Sequence, residues 1–175
     1  MEDKKLLGRL KSMVSRQPDY PLARAEARKT LDRFGITRPP VDPEYIAESM
    51  GINVLYVGFE ADVSKDISGL YDFQTKRIFV NKDIPANRKT FTIAHELGHA
   101  LLHEEYVRSQ NYQAMPRSNY HEDKPAEEVE ADIFAACLLV PKHMLRAYKG
   151  FADTAELSEI FAVSSDVVVN QMKFI

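Results

Sequence analysis

The feature of this sequence that most constrains its fold is a His-Glu-x-x-His motif, formed by His95, Glu96 and His99 within the mainly apolar stretch 90–103. On an α-helix, residues four apart are separated by about 400° of rotation and about 6 Å of rise, so the two histidines point the same way. This spacing allows two imidazoles to bind one metal ion, and it leaves Glu96 nearby, where a general base is needed. The alternative is a pair of core histidines, but burying them unpaired in an apolar helix is costly. The motif therefore predicts a buried helix that carries half of a metal site.

A second acidic motif offers the missing ligand. A catalytic zinc site needs a third protein ligand and leaves its fourth position to water. The stretch 127–139 becomes almost wholly apolar after Asp132, which predicts a core helix, and Glu128 lies four residues before Asp132 on the same face. We expect Glu128 to bind the metal and Asp132 to accept a hydrogen bond from a ligating imidazole, which fixes its tautomer. Glu127 and Glu130 remain rival third ligands, since acids of all kinds suit the first turn of a helix.

The two motifs together resemble a known family. Phe-Thr-Ile-Ala-His-Glu-Leu-Gly-His-Ala-Leu-Leu-His at 91–103 and Glu-x-Glu-Ala-Asp-x-Phe-Ala-Ala-x-Leu-Leu-x-Pro at 128–141 resemble the ImmA/IrrE family of zinc metallopeptidases. The resemblance implies that His95, His99 and Glu128 bind zinc and that Glu96 is the base. It also implies a fold similar to a minimal thermolysin-like core, and a function in which a helix-turn-helix repressor of a phage or mobile element is cleaved and repression is relieved.

The order of predicted elements indicates an α+β fold. Helices, then a small sheet, then more helices differ from the alternating βαβ units of a parallel sheet. Apolar periodicity predicts strands over 52–57, 68–73 and 77–81, and helices over 3–16, 21–34, 43–50, 90–103, 126–140, 154–161 and 164–172. We expect a helical segment at 1–38, a minimal thermolysin-like metallopeptidase domain with a small antiparallel or mixed sheet at 39–149, and a helix-turn-helix-like segment at 150–175.

Residues outside the motifs are expected to contact the substrate. The stretch 104–125 is polar, aperiodic and long for a connection, which indicates a functional lid or a mobile loop. Strand 68–73 is expected to hold an extended substrate by main-chain hydrogen bonds. A donor for the oxyanion is expected among Tyr71, Tyr106, Tyr112, Tyr120 and His121.

Two further residues of the motif helices are expected to have structural roles only. We expect His103 to be a helix-end residue, too far along the helix to share the ion, and Cys137 to be a small core residue.

Composition limits the compartment and the partners. The 175 residues carry 23 basic and 26 acidic side chains, a net charge of −3, and a single cysteine. Residues 150–175 contain one basic residue, Lys173, against four acids, so we expect no DNA binding there. The lone cysteine cannot form an intramolecular disulfide, and the sequence has neither a signal peptide nor a run of 18 apolar residues. We therefore expect a cytoplasmic protein that contacts neither nucleic acid nor membrane.

Two classes of function follow from these observations. The first is a zinc-dependent endopeptidase that hydrolyses a peptide bond in a protein substrate, which the resemblance identifies as a transcriptional repressor. The second is a non-catalytic antirepressor, a protein-binding module in which the metal site is structural. The two classes differ in whether a Glu96→Gln variant still relieves repression.

Overall fold

The described part of the chain contains eight helices and four short strands. The computed structural model describes residues 16–59, 67–110, 112, 115–116 and 124–175. The helices are α1 (Tyr20–Arg33), α2 (Pro43–Ser49), α3 (Ala86–Leu102), α4 (Glu104–Val107), α5 (Ala126–Leu139), α6 (Lys142–Tyr148), α7 (Thr154–Phe161) and α8 (Ser165–Met172). The strands are β1 (Asn53–Val57), β2 (Ile67–Asp72), β3 (Arg77–Asn81) and β4 (Met115–Pro116). Helices thus flank one small sheet in the chain order, and the predicted α+β class is confirmed.

The sheet is mixed, with the strand order β1-β3-β2-β4. β1 pairs with β3 in parallel, and β2 and β3 form the predicted antiparallel hairpin, with Leu70 opposite Phe79. β1, β2 and β3 agree with the predicted strands to within one residue at each end. β4 and the short helix α4 were not predicted, because both lie in the aperiodic stretch 104–125. β4 pairs with the outer edge of β2 and so covers part of it.

Helix α3, which carries the His-Glu-x-x-His motif, packs against both the sheet and α5. Two glycines allow these close contacts. A Cβ atom at Gly69 of β2 would collide with the side chain of Thr92, and one at Gly98 of α3 would lie 3.0 Å from Cδ1 of Phe134 and 3.3 Å from Cα of Ala131. Both positions therefore require a residue without a side chain. As a result α3 is buried over the whole segment 92–99, and the charged and imidazole side chains of the motif need partners inside the protein.

The first described helix packs on α5 and places its N-terminal end near the motif helices. Ala23, Ala27 and Leu31 of α1 are buried, which is the stripe that the sequence predicts. The N-cap of α1 is Asp19, whose side chain accepts a hydrogen bond from the N–H of Leu22 at 2.9 Å. The predicted helix over 3–16 lies outside the described residues, apart from Arg16 at its end.

The C-terminal helices pack against the core. A capping box formed by Asp153 and Glu156 begins α7, and Leu157, Phe161 and Val168 of α7 and α8 are fully buried. None of the helices in the described ranges is long and apolar enough to cross a membrane. The division of the chain at residues 38 and 149 stays a prediction.

Candidate metal centre

Three side chains from two helices converge at one point. Nε2 of His95 lies 3.1 Å from Nε2 of His99 and 3.2 Å from Oε2 of Glu128. Nε2 of His99 in turn lies 3.2 Å from Oε1 of Glu128. The structure therefore brings together the three residues that the two motifs single out as metal ligands. These three side chains are the metal centre discussed below.

Helix geometry and one close packing contact explain the convergence. His95 and His99 are one turn apart on α3, so their rings project to the same side. Glu128 lies in the first turn of α5, one turn before Asp132. Gly98 lets the backbone of α5 approach α3 closely at Ala131, which brings the carboxylate of Glu128 within reach of both rings.

His95 is oriented by a direct carboxylate contact. Its Nδ1 lies 2.9 Å from Oδ1 of Asp132, and Oδ2 of Asp132 accepts a hydrogen bond from Nζ of Lys124 at 2.7 Å. A carboxylate only accepts, so Nδ1 of His95 carries a hydrogen and Nε2 of the neutral ring is left with its lone pair. Asp132 thus lies where the sequence places a group that fixes the imidazole tautomer.

His99 is oriented by a second histidine, which the sequence reasoning missed. Nδ1 of His99 lies 3.0 Å from Nδ1 of His103, and Nε2 of His103 lies 2.8 Å from Oε2 of Glu130. His103 does cap the C-terminal end of α3, as expected for a helix-end residue, but its ring is also buried between His99 and Glu130. Burial lowers the pKa of His103 and favours its neutral form. The four-residue spacing from His99 to His103 was the signal that could have revealed this contact.

The two rival glutamates point elsewhere. Oε1 of Glu127 lies 3.2 Å from Nε of Arg16, on the side of α5 that faces the N-terminal segment. Glu130 accepts hydrogen bonds from Arg16, from the N–H of Asp19 and from His103, and is buried. Among the three glutamates in the first turns of α5, Glu128 is the one whose oxygens lie at the paired imidazoles.

The metal centre has the electrostatics of a cation site. When both Nδ1 atoms act as donors, the Nε2 lone pairs of His95 and His99 face each other, which is unfavourable unless a proton or a metal ion lies between them. Burial alone would lower the pKa of His95, but hydrogen bonds with Asp132 and Glu128 outweigh it and raise the pKa to about 10. Burial would raise the pKa of Glu128, but hydrogen bonds with His95 and His99 outweigh it and hold the pKa well below its usual range. The surroundings therefore favour a positive charge at this point.

The donor set and its spacing fit zinc. Two imidazole nitrogens and one carboxylate are a common set of protein ligands at catalytic zinc sites. Ligand atoms about 2.1 Å from a tetrahedral ion are about 3.4 Å from each other. The observed separations of 3.1–3.2 Å among the donor atoms of His95, His99 and Glu128 are close to this value. The three residues can therefore hold a zinc ion after a small adjustment of their side chains.

Glu96 lies beside the metal centre and is held by a tyrosine. The hydroxyl of Tyr112 donates to Oε2 of Glu96 at 2.7 Å and accepts from the N–H of Tyr71 at 2.7 Å. Burial raises the pKa of Glu96 to about 7, so its carboxyl group exchanges a proton near neutral pH. Burial also raises the pKa of Tyr112, which keeps its hydroxyl protonated as a donor.

Two of the five candidate oxyanion donors have hydroxyl groups at the site. Tyr112 contacts Glu96, and the hydroxyl of Tyr106 donates to Oε1 of Glu128 at 3.0 Å. Tyr71 contributes its main-chain N–H to Tyr112, and Tyr120 and His121 lie outside the described residues.

β2, the strand that is expected to bind the substrate, already makes hydrogen bonds with other segments of this chain. At the outer edge of β2, Ile67 pairs with Pro116 and Gly69 with Met115, while the N–H of Tyr71 donates to Tyr112. Beyond this edge, a cavity of about 490 Å³ adjoins Tyr71 and Tyr112 and is also lined by Phe73, Val107 and Arg108. An extended substrate that pairs with β2 must therefore displace these contacts.

The chain is similar to a family of known domains, to a phage protein and to a solved structure. The family of IrrE N-terminal-like domains, Peptidase M78, matches residues 47–173. The chain is 29% identical over 138 residues to the "Uncharacterized immunity region protein 2" of Bacillus phage phi105. The aligned region covers 78% of this chain and 79% of the phage protein. The fold of this chain is similar to that of a Mycobacterium tuberculosis transcriptional regulator, with a TM-score of 0.59 and a sequence identity of 19%. The similar region covers 86% of this chain and 55% of the regulator. At 19% identity this similarity concerns the fold alone.

Proposed function

We propose that this chain, which belongs to the Peptidase M78 family of IrrE N-terminal-like domains, is a zinc-dependent endopeptidase. Its two sequence motifs indicated the same family. In this proposal His95, His99 and Glu128 bind the ion, Asp132 orients His95, and Glu96 is the general base. The observation that carries the proposal is the convergence of three donor atoms 3.1–3.2 Å apart next to a buried carboxyl group.

The chemistry divides between the ion and the side chains. Zinc, when bound, supplies a Lewis acid that lowers the pKa of water and polarises the carbonyl of the scissile peptide bond. Glu96 accepts the proton of the attacking water on its carboxylate and delivers it to the leaving amine. Burial raises the pKa of Glu96, which favours a group that can accept a proton and give it up again.

Tyr112 and Tyr106 complete the chemical environment. Both hydroxyl groups stay protonated, because burial raises the pKa of each tyrosine. Tyr112 orients Glu96, and Tyr106 orients Glu128, so the base and the carboxylate ligand are both held by O–H donors. Tyr112 can donate to the oxyanion only when its O–H turns from Glu96 to the substrate, since the contact with Tyr71 uses the hydroxyl oxygen as an acceptor.

We infer that the substrate is a protein, and specifically a transcriptional repressor. The cavity beside Tyr71 and Tyr112 adjoins the edge of β2, where an extended polypeptide can pair through its main chain once it displaces β4 and Tyr112. The repressor class is supported by the phage relative, which is called an immunity region protein. The resemblance of the two motifs to repressor-cleaving peptidases points in the same direction.

The proposal is tested with the variant Glu96→Gln, which keeps the size of the side chain and removes the base. We expect zinc binding to be retained and cleavage of a candidate repressor, chosen by reading the genes that neighbour this one, to fall by about 10²–10⁴-fold. Cleavage is followed by mass spectrometry of the two purified proteins in the presence of zinc. Glu105→Gln, an exposed position on α4, is the matched control and is expected to cleave at the wild-type rate.

Two results would contradict the proposal. Full cleavage by Glu96→Gln would show that another group is the base. Relief of repression by Glu96→Gln in cells, with the repressor left intact, would instead favour the non-catalytic antirepressor.

A further inference from the structure

A chain of two hydrogen bonds connects His99 to the interior of the protein. Nδ1 of His99 lies 3.0 Å from Nδ1 of His103, and Nε2 of His103 lies 2.8 Å from Oε2 of Glu130. These contacts form the His99–His103–Glu130 relay. The side chains of His103 and Glu130 are 3% and 1% exposed, so water does not compete for them. The relay is therefore a fixed part of the folded protein.

When both imidazoles are neutral, one arrangement of protons satisfies the relay. An ionised carboxylate accepts and does not donate, so Nε2 of His103 carries its hydrogen. Nδ1 of His103 is then an acceptor, and Nδ1 of His99 must donate to it. Nε2 of His99 is left with its lone pair, and this is the atom that faces His95 and Glu128. The relay thus decides, from two hydrogen bonds away, which nitrogen of His99 is open to a metal ion.

Glu130 is held from the N-terminal side of the protein. Its Oε1 accepts from the N–H of Asp19 at 2.6 Å, and its Oε2 also accepts from Nη2 of Arg16 at 2.7 Å. Rotation of the carboxylate would leave a buried charge short of donors, which is costly. The end of the relay is therefore a fixed acceptor, tied to the residues that precede α1.

We propose that His103 and Glu130 are positioning residues of the metal centre, which hold His99 protonated at Nδ1 and leave its Nε2 ready to bind Zn²⁺. The inference rests on the proposed function, since it needs a metal ion at His99. A role in packing alone would require only the shape of the two side chains. A positioning role requires in addition an acceptor at Nδ1 of His103 and an accepting oxygen of Glu130 at Nε2 of His103.

The proton arrangement can be measured in the wild-type protein. Heteronuclear NMR of ¹⁵N-labelled histidine distinguishes rings protonated at Nδ1 from rings protonated at Nε2. In the zinc-loaded chain we expect His99 to be protonated at Nδ1 and His103 at Nε2. A His103 ring that is protonated at Nδ1 alone would overturn the proposal, and this measurement needs no variant.

The variant Glu130→Gln tests the accepting end. It keeps the size of the side chain but replaces one accepting oxygen with a donor, so the amide cannot accept from both His103 and Asp19. We expect zinc binding, measured by competition with a chromophoric chelator, to weaken about 10-fold. Glu127→Gln is the matched control, because Glu127 also contacts Arg16 but makes no hydrogen bond with His103. It is expected to bind zinc within about twofold of the wild type.

The variant His103→Phe separates positioning from packing. It keeps an aromatic ring of similar shape and removes both nitrogens, so Nδ1 of His99 loses its acceptor. We expect a loss of zinc affinity of about 10-fold or more in protein that thermal unfolding shows to be folded.

The outcomes for the relay and for the proposed function are distinguishable. Wild-type zinc affinity in folded Glu130→Gln and His103→Phe would overturn the relay and leave the metal centre standing. Failure of the wild-type chain to bind zinc would overturn the proposed function, and the relay with it. Weaker binding in both variants, together with an unchanged Glu127→Gln control, supports the relay.

Discussion

The two histidines of the metal centre are both held at Nδ1, but by different partners. His95 donates directly to Asp132, whose side chain is 29% exposed and is paired with Lys124. His99 donates to His103, which donates to Glu130, and Glu130 is 1% exposed. The His95 side of the centre therefore consists of one contact near solvent, and the His99 side consists of two contacts in the interior.

The two sides differ in how much stability is lost when a carboxylate loses one of its partners. Charges near solvent are screened and contribute little to stability, whereas a buried charge that loses a partner is costly. The carboxylate on the His95 side can therefore lose its cation, Lys124, at small cost in stability, while the carboxylate on the His99 side is bound to the packing of α1 on α5 through Asp19 and Arg16. One candidate ligand is thus adjustable at its outer end, and the other is fixed by the fold.

The largest loss of zinc affinity is expected when the residue that contacts both histidines is removed. Glu128→Ala deletes the carboxylate that contacts both Nε2 atoms, and the two histidines then have no common anionic partner. We expect zinc affinity to fall by more than about 100-fold, which exceeds the effect of residues that only orient ligands. Chelator competition measures it, with Glu127→Ala as the control on the same turn of α5. A loss of less than tenfold would show that Glu128 is not a ligand.

A smaller effect is expected on the His95 side from Asp132→Asn. Oδ1 of Asp132 accepts from His95 and Oδ2 accepts from Lys124, so an amide can satisfy one of them and must present its NH₂ group to the other. If Lys124 keeps the oxygen, Nδ1 of His95 meets a donor and the ring shifts toward the wrong tautomer. We expect zinc affinity to fall by about 10–100-fold, measured as for Glu128→Ala. An unchanged affinity would mean that Glu128 alone fixes the ring of His95.

The two sides of the metal centre also differ in how far the sequence predicts them. His95, His99, Glu128 and Asp132 come together because each pair lies one turn apart on a helix, and that spacing is visible in the sequence. The contact of His103 with Glu130 depends on how α3 and α5 are rotated against each other, which no single-helix pattern contains.

The same limit applies to the fold. β1, β2, β3 and the longer helices have apolar patterns of the expected period, and their predicted ends differ from the observed ones by only a few residues. Tyr112, α4 and β4 lie in a polar stretch without periodicity, where position depends on contacts with β2 and Glu96 made only after folding. The sequence names Tyr106 and Tyr112 among five candidates, and hydrogen bonds of the folded chain bring these two hydroxyl groups to the site.

The smallest expected effects come from the cations at the outer ends of the two sides, and they compare the sides most directly. Lys124→Met removes the partner of a carboxylate that is already 29% exposed, so water can replace the ammonium group. We expect the free energy of unfolding, measured in urea without metal, to fall by less than about 1 kcal/mol.

Arg16→Met removes one donor from Glu130, which is 1% exposed and keeps only Asp19 and His103 as donors. Although Arg16 itself is half exposed, the charge that it leaves is buried, so we expect a loss of about 1–2 kcal/mol. Equal losses in the two variants would show that solvent reaches both carboxylates alike, and the contrast between an adjustable and a fixed ligand would then have no physical basis.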